Sequence, residues 1–306
     1  MPSTKEIKSR IKNIQDTKKI TNAMYLIAST KMRKAKADLD KTKPYFYSLS
    51  REIKRIFRTV KDLDNRYFYP VNMDSFKNGT YGILVITADK GLAGAYNANA
   101  IKEALRLYED HHDTRLYVVG EYGRQYFKRH GIPIEEDFRF TAQDPTMEEA
   151  RQITMALLSK YNSGELAKIF VVYTDFKNRM ASDASSVRLL PFHREIVMQS
   201  TKEEKEVLQE FEFTPNVEVV IDSIISSYIS GFIFGSLVDS FCAEQNSRIE
   251  AMNSANTNSD NLLQELNIEY NRVRQGAITQ ELTEISAGAK AQKKKKLEAK
   301  SDDRYR

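Results

Sequence analysis

Apolar residues recur at alternating spacings of four and three from Ile7 to Val60, and that spacing leaves the N-terminal end of the chain little choice of fold. The line runs Ile7, Ile11, Ile14, Lys18, Thr21, Tyr25, Ala28, Met32, Ala35, Leu39, Thr42, Phe46, Leu49, Ile53, Ile56 and Val60, and only Lys18, Thr21 and Thr42 are polar. A 3.5-residue period puts one continuous apolar seam on a single helix, which then needs a coiled-coil partner. At a rise of about 1.5 Å per residue such a helix would be about 80 Å long. Pro44 lies inside it and marks an expected kink or bend. A second apolar line, Ile20, Met24 and Ile27, lies to one side of the seam. Either the core face is wider there, or the helix touches a second body.

The partner is found at the other end of the chain. No proline occurs from Val217 to Ile285. Val217, Ile221, Ile224 and Tyr228 begin a second seam. It resumes as Val238, Cys242, Gln245, Ile249, Met252, Asn256, Ser259, Leu263, Leu266, Tyr270, Val273 and Ala277. The run Asn253–Asn261 weakens it, because Ser, Asn and Asp side chains compete for backbone hydrogen bonds, so on its own it reads equally well as a loop. Only 12 Gly and 7 Pro interrupt the whole chain, which suits long helices. If a compact segment joins their far ends, the two helices pair antiparallel, and the longer C-terminal one projects past its partner.

Between them the period changes. Residues 82–87, 116–120, 169–174 and 187–192 are apolar runs of strand length, and helical patterns fill about 97–109, 126–130 and 146–162. Strands alternating with helices predict an α/β sheet covered on both faces. Residues 64–77 read as a connector and 201–213 as a charged linker or short helix. The wide apolar face of 217–241 should pack on the sheet. The expected division is 1–62 (N-terminal coiled-coil helix), 63–213 (central Rossmann-like α/β domain), 214–289 (C-terminal coiled-coil helix) and 290–306 (a basic, disordered tail).

Charge separates the ends from the middle. Residues 1–36 carry ten Lys and Arg against Glu6 and Asp16, a net of +8, and residues 290–306 carry a net of +5. The chain's total of +5 leaves −8 for residues 37–289. The basic ends therefore want an anionic partner, whether acidic protein, nucleic acid or membrane surface. Basic helices without a groove-reading motif and with a long apolar seam argue against nucleic acid. No run of 18 apolar residues occurs, and the acid-bearing N-terminus resembles neither a signal nor a transit peptide, so a cytoplasmic start is expected. The single cysteine, Cys242, is expected to be a buried thiol.

Chemistry-bearing motifs are scarce. The turn Gly91–Gly94 follows a strand and precedes a helix, where a nucleotide fold cradles phosphate. It matches neither the Walker A loop nor GxGxxG, and it reads as a tight structural strand-to-helix turn. The histidines 111, 112, 130 and 193 form no metal-ligand spacing, so neither a metal nor another cofactor is implied. No catalytic constellation stands out.

Three separate motifs resemble those of the gamma subunit of the F-type ATP synthase. At the N-terminus they are Lys18-Lys-Ile-Thr-Asn-Ala-Met24 and Ser29-Thr-Lys-Met-Arg-Lys-Ala35. In the middle stands Ile86-Thr-Ala-Asp-Lys-Gly-Leu-Ala-Gly94 with Asn97. Near the C-terminus are Tyr270-Asn-Arg-Val-Arg-Gln275, Ala277-Ile-Thr-Gln-Glu-Leu282 and Glu284-Ile-Ser-Ala-Gly-Ala289. The likeness runs in order from about residue 3 to 289. It implies a non-catalytic central stalk whose terminal helices stand inside three alpha and three beta subunits. The α/β domain would meet the epsilon subunit and the ring of c subunits. Catalytic sites would lie on beta, no cofactor would be bound here, and the complex alone would hold the chain to the cytoplasmic face of a bacterial membrane. Met24 matches the position facing an acidic loop of beta. Arg274, Gln275 and Thr279 match a polar cluster that hydrogen-bonds a catch loop of beta, and Lys18 and Lys19 lie in the basic segment beside Met24. The resemblance also implies uninterrupted helix over Asn253–Asn261.

Two departures stand out. Gly276 replaces a common Ala, and residues 290–306 extend past the family's usual end. No cysteine-bearing insertion of the chloroplast type is present, so no thiol switch is expected. Two readings from other classes remain, an α/β enzyme with coiled-coil arms and a coiled-coil adaptor for acidic proteins.

Overall fold

The computed structural model describes residues 3–59, 66–68, 79–111, 113–178, 181–192, 214 and 216–302. The expected linker at 201–213, most of the connector at 64–77, and His112 and His193 lie outside the described residues. Contacts divide the chain into two units, residues 25–251 and the paired ends formed by residues up to 24 with those from 252 onward.

The seam residues do make one helix, α1 (Thr4–Thr59). Its start is a capping box missed in the sequence. Ser3 Oγ accepts the Glu6 N–H at 3.3 Å, while Glu6 Oε2 accepts the Ser3 N–H at 3.1 Å. The exposed Pro44 lies within the helix and does not end it. The C-terminal helix, α5, runs over Val217–Asp302, 86 residues. Asn253–Asn261 is helical within it. Thr257 and Ser259 return their hydroxyls to carbonyls four residues back, at 3.1 and 2.8 Å, so they bond along the helix instead of breaking it. The tail expected to be disordered is helical to Asp302. Ala, Lys, Gln, Leu and Glu in 289–300 are strong helix formers, and Pro and Gly are absent there.

In the unit of residues 25–251, four strands form one sheet in the order β2-β1-β3-β4. These are β1 (Tyr81–Ile86), β2 (Thr114–Val119), β3 (Lys168–Asn178) and β4 (Ala181–Leu190). β1 pairs parallel with β2 and β3, and β4 closes the edge antiparallel to β3. The remaining helices are α2 (Tyr96–Glu109), α3 (Glu121–Arg129) and α4 (Met147–Asn162). Thr146 caps α4 by accepting the Glu149 N–H at 3.2 Å.

Strand alternation sorts the core into two layers. Leu84, Ile86, Tyr117, Val119, Ile169 and Val171 face Ile153 and Leu157 of α4, Met32 and Leu39 of α1, and Ile221 to Cys242 of α5. Ile83, Val85, Leu116, Val118 and Val172 face Ile101 and Leu107 of α2 and Phe127 of α3. Both faces are thus covered. β4 begins well before the expected residue 187. Its first half, Ala-Ser-Asp-Ala-Ser-Ser, has little intrinsic strand preference and is held by pairing with β3.

By length and composition, part of α5 could cross a membrane. The same stretch buries Ile221, Ile225, Ile229, Ile233, Leu237 and Phe241 in the core, which accounts for its apolarity. Gly231 serves close packing there, since a Cβ on it would lie 2.0 Å from the Phe46 ring of α1. Cys242 is buried, and burial with Asp239 nearby pushes its thiol up to about 11, so it is unreactive at neutral pH. Asp239 itself is pushed up to about 6 by burial and by Asp175 on β3, against the pull of Lys43 on α1.

Gly231→Val should lower unfolding free energy by about 1–3 kcal/mol in a denaturant titration, because Phe46 must leave its rotamer. A second expectation concerns pH. Asp239 has a folded pKa above its unfolded one, so its contribution is fully present below about pH 4 and is lost as pH rises through 6. Asp239→Asn should therefore stabilise the chain by roughly 2 kcal/mol at pH 7.5 and by almost nothing near pH 4, measured by thermal unfolding at both.

Candidate interaction surface on the paired terminal helices

All six residues singled out from the sequence fall in the unit of paired ends. There, Ile7, Ile11, Ile14, Lys18 and Thr21 of α1, and Met252, Asn256, Ser259, Leu263, Leu266, Tyr270 and Val273 of α5, are buried or half-buried. The two polar positions of the α1 seam meet the polar stretch of α5. Lys18 Nζ pairs with Asp260, and the Thr21 hydroxyl donates to Asn256 Oδ1 at 2.5 Å. Both couples join residues whose numbers sum to 277 or 278, which makes the pairing antiparallel. Lys18 was expected to meet an outside anion, and here its carboxylate comes from the same chain. The pair is half-exposed, so its value is in matching polar layers and setting register, not in net stability.

Facing away from the seam are the remaining candidates. Lys19 reaches back to Asp16 at 2.9 Å and holds that carboxyl below its usual range. Met24 is half-buried, and its neighbours Ile20 and Ile27 are 62% and 56% exposed. Ile20 and Ile27 therefore do not widen the core face within the chain. On α5, Arg274, Gln275 and Thr279 are exposed. The Arg274 guanidinium sits 6.0 Å from the Tyr270 ring, and the Thr279 hydroxyl donates to the Gln275 carbonyl at 2.9 Å. The structure does not bring the two groups together. Asp260, opposite Lys18, precedes Arg274 by fourteen residues, about 21 Å along the helix.

The register puts Ser3 level with residue 274. Beyond it α5 has no described residue of α1 beside it, and residues 274–292 are exposed. Ala277, placed on the seam from sequence, is among them. Ile278, Leu282 and Ile285 are 48%, 62% and 70% exposed at spacings of four and three. This stripe was missed, though its spacing was visible. Regular exposed apolar residues on one helix mark a surface that another body covers.

The turn at Gly91–Gly94 offers no phosphate cradle. Asp89 already caps α3: one carboxylate oxygen accepts the Glu121 N–H at 3.0 Å, the other the Ala142 N–H at 3.1 Å and the Thr141 hydroxyl. On its other side the turn is filled by α5, where Arg248 donates to the Gly91 carbonyl at 3.1 Å and pairs with Glu244. A depression of about 380 Å³ beside Asp89 includes Arg124 and Lys128. Arg124 donates to the carbonyls of Phe138 and Glu136, and Lys128 pairs with Glu136 at 3.1 Å, so both are engaged. Among the described residues no cluster of His, Cys, Asp and Glu is arranged to hold a metal.

The chain is similar to known proteins in sequence and in fold. The family profile described as ATP synthase matches residues 3–292. The ATP synthase gamma chain of Caldanaerobacter subterraneus subsp. tengcongensis is 37% identical, over 93% of this chain and 98% of its own. That of Acetivibrio thermocellus is 35% identical over 96% and 100%. The sodium-ion-specific ATP synthase gamma chain of Acetobacterium woodii is 33% identical over 94% and 98%. In fold, a chain of the Euglena gracilis mitochondrial ATP synthase superposes with a TM-score of 0.57 at 15% identity, covering 92% of this chain and 94% of that one. A chain from the central stalk and c-ring structure of the Tetrahymena thermophila enzyme gives 0.54 at 20% identity, covering 77% and 99%.

Gly276, between the two exposed groups of α5, has nothing within 4 Å of a Cβ built on it, so nothing in the structure explains a glycine there. Gly276→Ala should stabilise this part of the helix by up to about 1 kcal/mol, read as slower amide exchange over residues 272–280 of the isolated chain.

Proposed function

Because the chain belongs to the ATP synthase gamma chain family, we propose that it is the central-stalk subunit that couples ion flow through the membrane ring to conformational change at nucleotide sites on its neighbours. The observation that carries this reading is the end of α5, beside which no described residue packs, with its exposed Ile278, Leu282 and Ile285. A lone helix is marginal in water, and this one bears a regular apolar stripe, as a shaft standing in a sleeve would. Three alpha and three beta subunits would form the sleeve. Ile20, Met24 and Ile27, flanked by Lys19, would meet an acidic loop of beta, and Arg274, Gln275 and Thr279 a polar loop higher up. The α/β unit would be left to the epsilon subunit and the c ring. The complex alone would hold the chain at the cytoplasmic face of a bacterial membrane.

The action follows from asymmetry. One shaft cannot present the same face to three equivalent beta subunits, so each beta would meet different side chains at any moment. Differential contact is what shifts a two-state equilibrium, and turning the shaft would pass each beta in turn between open and closed. By linkage, nucleotide turnover would turn the shaft back. No chemistry would fall to this chain, and the catalytic sites would lie on the beta subunits.

Arg274→Ala combined with Gln275→Ala, in the assembled complex, should lower ATP-driven ion pumping at least several-fold, with the chain still co-purifying as one copy per three alpha–beta pairs. Unchanged pumping would remove these residues from the contact, and absence of alpha and beta from the purified material would remove the whole reading.

A further inference from the structure

The packing of α5 on the sheet changes character along its length. From Ile221 to Leu237 the helix meets the sheet unit with apolar side chains. Over the next turns it presents Ser240, Glu244 and Arg248, spaced four apart on one face and all buried. Ser240 and Arg248 make polar contacts with the sheet unit, and Glu244 is the partner of Arg248. Ser240 Oγ accepts the backbone N–H of Thr174 on β3 at 3.1 Å, and Ser240 shares a hydrogen bond with the buried Tyr96 hydroxyl at the start of α2. Arg248 holds Glu244 with one guanidinium nitrogen and donates to the Gly91 carbonyl with the other. Gly94 shapes the turn by taking a φ of 53°, in the left-handed region that favours glycine.

Apolar packing resists separation, but it is non-directional, and a helix turning about its axis exchanges one set of apolar contacts for another. Hydrogen bonds lose their strength steeply with angle, and a buried charge without its partner is costly. Bonds from one helix face to three separated places, Thr174, Tyr96 and Gly91, therefore oppose rotation of α5 relative to the sheet. We propose that Ser240, Glu244 and Arg248 are positioning residues that form a clutch, through which the α/β unit turns α5 without slip. The inference rests on the central-stalk reading. It adds where torque enters the helix.

The test uses the whole complex in inverted membrane vesicles, with ATP hydrolysis and ATP-driven ion uptake measured on the same preparation. Arg248→Met cuts the bond to Gly91 but leaves Glu244 unpaired. The double variant Glu244→Gln/Arg248→Met avoids that buried charge and keeps the test open if the single variant fails to fold. The double variant, with or without Ser240→Ala, should keep hydrolysis within about twofold and lower ion uptake per ATP at least threefold. Uptake per ATP equal to wild type would overturn the clutch. So would hydrolysis and uptake falling in proportion with the yield of complex, which is what a merely structural role predicts. If wild-type vesicles showed no ATP-driven uptake dependent on this chain, the central-stalk reading would fall, and the clutch with it.

Discussion

The matching of polar layers between α1 and α5 is the constraint on which the paired ends depend. A long apolar seam can slide by a heptad and bury almost as much surface. Lys18 and Thr21 break that degeneracy, because a heptad shift would place them against Leu266 and Leu263 in one direction or Met252 and Ile249 in the other, and would leave Asp260 and Asn256 without them. As with a single buried Asn in a coiled coil, the polar layer gives up some stability for one alignment. That alignment decides how much of α5 is left over. With Ser3 level with residue 274, the exposed isoleucines of the tip and the outward groups Arg274, Gln275 and Thr279 are fixed in place relative to Lys19 and Met24.

Much of this was legible in the sequence because it depends on period. The seam of α1 holds at every position from Ile7 to Leu49, and β1, β2 and the start of β3 follow their apolar runs. Elements that depend on partners were harder to see. The first half of β4 is a strand only because β3 is beside it. By local pattern alone Asn253–Asn261 reads equally well as a loop, and only the resemblance implied helix; the pair uses Asn256 and Asp260 against Thr21 and Lys18. The basic tail was misjudged by charge alone, although Ala, Lys and Glu in sequence favour helix whatever the net charge.

The candidate surface was legible in a different sense. Position in the motifs marked Lys18, Lys19, Met24, Arg274, Gln275 and Thr279, but only the geometry separates their surroundings. Lys18 is turned inward to Asp260, Lys19 is drawn to Asp16, and Arg274 lies near the Tyr270 ring. Residues four apart on α5, Ser240, Glu244 and Arg248, carried no motif signal in the reading. A Ser, a Glu and an Arg at that spacing look like an ordinary solvated helix face. Their burial depends on Gly91–Gly94 and β3, more than sixty residues away, and local pattern cannot show it.

The far end of α5 poses the opposite problem. Past residue 274 every described side chain is exposed, so among the described residues none packs against the helix there. An isolated helix of this length is held by propensity and by pairs along one face, such as Gln280 with Glu284 at 3.0 Å. Ordering such a segment costs conformational entropy, and exposed isoleucines invite non-specific association. Both penalties lift when a sleeve closes around the stripe, because a partner that binds only the helical form stabilises it by mass action. Stiffness of the tip is then a property of the assembly, whereas the polar layer at Lys18 and Thr21 and the contacts of Arg248 belong to the chain alone.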